Sequence, residues 1–244
     1  MNLESGSRSR VKFASGNHNR LIPCAICDPC RIGTDMPLRE IEAALRMRLA
    51  GTLPGVEAQL RFAPNPVRPG WKAGHFPSDA RLAAALLLLY PTEQGGAAIP
   101  LTVRASNLAR HAGQISLPGG AADEGETLAE TALREASEEI GIDPASVRVL
   151  GELTPVHVIV SGFTLHPVVG VTHTRPAFLR APHEVDEILE VSLEDLRDAS
   201  RIRVGTRVRE GVAVEYPYFD LLGHQVWGAT AMVLGEFVCL IAEM

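Results

Sequence analysis

Lysine is nearly absent from this chain: of its 23 basic side chains only Lys12 and Lys72 are lysines, the rest arginine. Arginine suits bidentate phosphate contacts, but a genome-wide codon bias explains the ratio more simply. No dense basic tract occurs and the net charge is -6, which argues against a nucleic-acid partner. Long apolar runs are missing too. The most apolar stretch, Leu82 to Leu89, is far shorter than the roughly 20 residues of a membrane span, and reads as a buried strand. No apolar run followed by a small-residue cleavage site marks a secretory signal. Four cysteines in 244 residues do not make a disulfide scaffold. A cytoplasmic protein with no membrane partner is the expectation.

Three of those cysteines stand together as Cys24, Cys27 and Cys30. A structural zinc site takes four ligands, and only the distant Cys239 and the loosely placed His18 could supply a fourth. The surrounding residues are rich in Ser, Asn, Arg and Pro, so residues 1–34 are expected to be a disordered extension. Met36 directly precedes the first good helical pattern and is expected to be the natural start.

From there the chain divides into an N-terminal helix with a Pro- and Gly-rich link over 35–79, and a larger domain over 80–244. Pro37 to Ala50 carries apolar residues at helical spacing, with Asp35 as N-cap. Proline and glycine then crowd the link through Gly70. Strands are predicted at Ala83–Tyr90, Ile99–Arg104, Val147–Leu153, Phe163–Val171 and Glu187–Val191, with a turn over Pro118-Gly119-Gly120. Ser192 is expected to cap a short helix to Arg197. Ile202–Arg209 and Ala213–Phe219 read as a hairpin turning at Glu210-Gly211, and Thr230 to Met244 as a helix. No internal repeat is present. Interleaved strands and helices predict an α/β class, a mixed sheet covered by helices on both faces.

One helix carries too much negative charge. Thr127 opens it with Glu130 three residues on, a capping box, and Gly141 closes it ahead of Asp143-Pro144. Ala129, Ala132, Leu133, Ala136 and Ile140 form an apolar stripe. Beside that stripe Glu135, Glu138 and Glu139 stand at i, i+3 and i+4, on one face. Each like-charged pair costs roughly 0.2–0.5 kcal/mol. The helix dipole adds roughly 0.3–1 kcal/mol for each anion in the last turn, which Arg134 offsets only in part. The simplest reading is a solvated acidic face. The alternative is a site for a hard cation such as Mg2+ or Mn2+, which prefers carboxylate oxygens. Gly119-Gly120 upstream favours the second, because glycine lets backbone approach a metal or phosphate closely.

From Gly120 the segment runs G-x5-E-x7-R-E-A-x-E-E-x-G-I, through Glu126, Arg134, Glu135, Glu138 and Glu139 to Gly141 and Ile142. It resembles the Nudix box at every fixed position. The resemblance implies a three-layer α/β/α sandwich and hydrolysis of a diphosphate bond in a nucleotide derivative. It also implies that Glu135, Glu138 and Glu139 hold Mg2+ or Mn2+, that Arg134 orients them, that the Gly119 carbonyl reaches the metal, and that Glu126 supports the loop. The general base varies among Nudix enzymes; Glu184, Asp186 and Glu187, before a predicted strand, are candidates, against an acidic surface loop as the plain alternative.

Arg104 to Gly120, reading R-A-S-N-L-A-R-H-A-G-Q-I-S-L-P-G-G, is similar to the segment marking the coenzyme A pyrophosphatase branch, R-S-x-x-L-x-x-H-x-G-Q-[IV]-[SC]-F-P-G-G. Leu117 stands where that branch usually has Phe, and the spacing from Gly120 to Arg134 is the ordinary Nudix one. Similar residues recur at Gly151-Glu152-Leu153, Ser161-Gly162-Phe163, Glu184-Val185 and Val226 to Ala231. The resemblance implies a small-molecule substrate, coenzyme A or an acyl derivative, bound by Arg104, Arg110, His111 and Gln114. For His111 a structural role in the loop competes. A homodimer is compatible with this reading. ADP-ribose, dinucleotides or nucleoside triphosphates are alternative substrates, and a non-catalytic nucleotide sensor is the reading from another class.

Overall fold

The computed structural model describes residues 36–106 and 113–242. The expected disordered extension, the cysteine triplet and the Asp35 cap lie outside the described residues.

Strand β1 (Arg81–Pro91) organises the molecule. Ala83 to Tyr90 are all buried, and successive side chains in a strand point to opposite faces. Ala85, Leu87 and Leu89 therefore enter one core while Ala84, Leu86 and Leu88 enter another. A strand covered on both sides reads as one continuous apolar run, which is why no alternation marks it.

Two helices precede β1 in the chain, α1 (Leu38–Leu49) and α2 (Gly55–Leu60). After it come β2 (Ala97–Arg104), β3 (Ile115–Ser116), β4 (Gly119–Ala121) and α3 (Leu128–Ile140). Next are β5 (Arg148–Glu152), β6 (Val156–Val158), β7 (Phe163–Val171), β8 (Val185–Ser192) and α4 (Leu193–Arg197). The chain ends with β9 (Ile202–Arg209), β10 (Val212–Leu221), β11 (His224–Trp227) and α5 (Ala229–Ala242). Strands β1 to β8 make a mixed sheet, and β9 to β11 a separate antiparallel one. The expected hairpin is β9–β10; Glu210 and Gly211 both take positive φ, 55° and 80°, as its tight turn requires.

One edge of β1 pairs in parallel with β7, from Arg81–Phe163 to Leu89–Val171. Its other edge changes partners: Ala83 to Ala85 pair with β4, and Tyr90 and Pro91 with β2. The sheet splits between those pairings, and the site lies in the split.

Helix α3 covers one face through Ala132, Ala136 and Ile140, packed on Ala84, Leu86, Leu88 and Val168. Ile41 and Leu45 of α1 and Val233, Phe237 and Leu240 of α5 fill the core on the other face, so the expected three layers are present. Helix α1 starts at Leu38 with Pro37 at the N-cap position and no capping side chain. Five elements were not expected, the short strands β3 and β6 among them. Helix α2 lies inside the Pro/Gly-rich link, β4 occupies residues read as a turn, and β11 precedes the last helix. No described helix is long and apolar enough to cross a membrane.

Candidate active site

Helix α3 begins as its sequence requires. Thr127 Oγ1 accepts the Glu130 amide at 3.2 Å while Glu130 Oε2 accepts the Thr127 amide at 2.8 Å. It ends at Gly141, whose φ of 72° is left-handed. With both ends fixed, the apolar stripe on the sheet sets the azimuth of the three glutamates.

They are not a uniform solvated face. The side chain of Glu138 is 57% exposed, that of Glu135 16% and that of Glu139 3%. Burial pushes the Glu139 carboxyl up to about 7, although Arg104 and the Gly119 amide pull it down. Burial also raises Glu135, against the opposing effect of Arg134, and the charge of Glu184 adds to the rise at both. Both acids thus sit where burial disfavours their charged form.

Two arginines answer the cluster. Arg134 Nε and Nη2 grip Glu126 at 2.7 and 3.0 Å, and Nη1 reaches Glu135 at 2.8 Å and Glu138 at 3.3 Å. Its Nη2 also donates to the Ala121 carbonyl at 3.1 Å. Glu126 accepts from Thr131 Oγ1 and the Asp123 amide as well, and these bonds, led by Arg134, hold its carboxyl down at about 2. Arg134 thereby fastens the 121–126 loop to the helix. From the opposite side, Arg104 Nη1 at the end of β2 stands 3.6 Å from Glu139 Oε1.

The two glycines of β4 act differently. A Cβ at Gly120 would lie 2.4 Å from the Glu135 carboxylate, and one at Gly119 would lie 2.4 Å from the Ala84 carbonyl. Neither has positive φ; close approach is what excludes a side chain. The Gly119 amide donates to Glu139 Oε2 at 3.2 Å, which ties β4 to the helix.

Among the described residues no three acidic, His or Cys side chains converge as a ready-made metal cage. Glu135 and Glu138 face Arg134, while Glu139 faces Arg104 and Gly119. Of the later acids, Glu184 lies close enough for its charge to act on Glu135 and Glu139. Its backbone carbonyl accepts from Ala105 and its carboxylate is 3.1 Å from His183. Asp186 instead accepts the Ser106 amide at 2.9 Å, and Glu187 faces His224 at 3.6 Å. Arg110 and His111 lie outside the described residues. Thr131 was not singled out in the sequence: a threonine inside a helix signals nothing until the loop folds back onto it.

Two cavities meet beside the cluster. One of about 190 Å³ touches Ala83, Arg104, Ser116, Gly119 and Gly120. A larger one of about 440 Å³ shares Arg104 and Ser116 with it, includes Gln114, and runs on to Trp71 and Trp227.

The NUDIX domain model matches residues 80–208. The Nudix hydrolase NudL of Pectobacterium atrosepticum is 36% identical over 167 residues, 67% of this chain and 84% of that protein. NudL of Salmonella paratyphi B is 36% identical over 174 residues, 68% of this chain and 86% of its own. A Caenorhabditis elegans Ap4A hydrolase structure is 16% identical with a TM-score of 0.45, covering 67% of this chain and 99% of that one. From the family match and the extent of the NudL alignments, the chain belongs to the Nudix family and is a hydrolase.

Proposed function

We propose that this hydrolase cleaves the diphosphate bond of coenzyme A or an acyl-coenzyme A, adding water to give 3′,5′-ADP and the (acyl-)4′-phosphopantetheine. Arg104 carries the reading. It comes from the segment similar to the coenzyme A branch, touches Glu139 at 3.6 Å, and lines both cavities.

Nudix hydrolases use divalent metal ions, and the donor set fits one: all oxygen, three acids on adjacent turns of one helix, with Glu139 buried and weakly acidic. Glu135, Glu138 and Glu139, with the Gly119 carbonyl, would hold Mg2+ or Mn2+. A divalent cation there would neutralise the diphosphate and make water more acidic. The chain's own groups do the rest. Arg134 orients Glu135 and Glu138 while holding the 121–126 loop through Glu126. Arg104 donates to a phosphate oxygen. Glu184 takes the proton of the attacking water, since of the three later acids it is the one whose charge acts on Glu135 and Glu139. Gln114 lines the substrate cavity, and Arg110 and His111 are carried from the motif as further substrate contacts.

The test is a chromatographic screen of coenzyme A, acyl-coenzyme A, ADP-ribose, NADH and nucleoside triphosphates with Mg2+ or Mn2+. Coenzyme A or its acyl forms should lead in kcat/KM by ten-fold or more. Coenzyme A ranking below ADP-ribose or the triphosphates would end the substrate assignment.

A further inference from the structure

We infer that Arg68, Arg207 and Arg209 form a second anion subsite, which takes a phosphate monoester carried by the nucleotide away from the diphosphate that is cut. All three line the larger cavity, and none touches the smaller one at Gly119 and Gly120. The subsite thus lies in the same cavity as Arg104, whose guanidinium stands 3.6 Å from Glu139 of the cluster.

Charge is the first reason. Among the described residues Arg207 has no ion-pair partner, and its Nε is buried with no hydrogen-bond partner. Arg209 is met by the carbonyls of Pro66 and Val67, at 3.1 and 3.2 Å, and not by an acid. Arg68 reaches only Glu210 at 3.7 Å, a side chain 78% exposed. Burial and the neighbouring charges of Arg209 and Arg68 press against the charged form of Arg207. Three guanidinium groups with one loose acid between them mirror the crowded glutamates of α3. Stability alone would place a carboxylate there, whereas a phosphate offers oxygens for several guanidinium forks at once.

The second reason is that the cluster is built. Gly205, Arg207 and Arg209 occupy alternate positions of β9, on one face. The Arg207 guanidinium lies 4.2 Å from the Trp227 ring centre and 5.5 Å from that of Tyr216, contacts that fix its plane. Gly205 makes room for this stack, since a Cβ there would lie 2.5 Å from the Tyr216 ring. The 64–71 segment is pinned over the sheet by the Asn65–Glu215 bridge and by Trp71 Nε1, which donates to the His157 carbonyl at 3.1 Å. That pinning brings Arg68 to the cavity.

The chemical class follows: a nucleotide bearing a phosphate monoester separate from its diphosphate. In coenzyme A that group is the 3′-phosphate of the ADP half, an identification that rests on the function proposed above.

The experiment is calorimetric titration of the full chain with 3′,5′-ADP and with 5′-AMP, which differ by that phosphate alone. Wild type should bind 3′,5′-ADP at least ten-fold more tightly. Arg207→Gln should reduce this preference at least five-fold, and Arg68→Ala should reduce it as well without disturbing the aromatic stack. Equal affinities in wild type, or an undiminished preference in whichever of the two variants melts like wild type, would overturn the subsite. Should coenzyme A prove a poor substrate while the preference and its loss are observed, the subsite stands and the substrate assignment falls; hydrolysis of coenzyme A without any preference gives the reverse.

Discussion

Glu139 is where burial and charge conflict most sharply, and the conflict has a sign. Its carboxyl is raised to about 7 from an ordinary 4.5. Between those values the metal-free folded chain keeps a proton that the unfolded chain has released, so stability falls as pH rises through that window. Unfolding free energies from urea titrations in chelator should therefore drop further between pH 4.5 and 7.5 in wild type than in Glu139→Gln, by on the order of 3 kcal/mol. Parallel curves would remove Glu139 from the account. The paired glycines allow a second separation at this scale. Gly120→Ala meets only the end of the Glu135 side chain, so it should fold and lose turnover. Gly119→Ala meets the Ala84 backbone and should cost about 1–3 kcal/mol of stability. Equal melting temperatures for the two variants would contradict the assignment.

Among the elements, α3 was the most legible because its signals are local. Thr127 with Glu130, the alanine stripe and Gly141 each act within one or two turns, and all take the expected roles. Thr127→Ala should cost about 1 kcal/mol in thermal melting, with turnover otherwise intact; no change would show that packing alone holds the helix start. Elements with weak local signals went unseen. Gly55 begins α2 right after Pro54, in a stretch whose composition reads as a link, and only packing against α5 makes it a helix. Gly119 and Gly120 read as part of a turn because the pairing of β4 with Ala83 to Ala85 is long-range. The site divides the same way. Spacing on one helix brings the three glutamates together, whereas contact of Arg104 with Glu139 and the meeting of Arg68 with Arg207 depend on how distant strands are joined.

For the whole molecule, the region matched by the Nudix model does not contain all of the core. Phe62 stacks on Phe219 with ring centres 4.5 Å apart, and both lie outside residues 80–208. Glu236, fully buried on α5, accepts from Gly55 N, Gln59 Nε2, Thr154 N and Thr154 Oγ1. Removing it leaves several buried donors unpaired. Glu236→Ala should lower unfolding free energy by about 3 kcal/mol or more, while turnover per folded molecule holds; a change under 1 kcal/mol would mean that the network is not structural. The core of Ala84, Leu86, Leu88 and Val168 holds the acidic helix against the split sheet, and a divalent cation bound there would give that arrangement its purpose. Manganese titration and coenzyme A turnover, measured together on wild type and on Glu135→Gln, Glu138→Gln and Glu139→Gln, test this most directly. Each variant should bind manganese at least ten-fold more weakly and lose 100-fold or more in kcat, with melting temperature unchanged or higher. Wild-type manganese uptake and turnover in all three variants would contradict it.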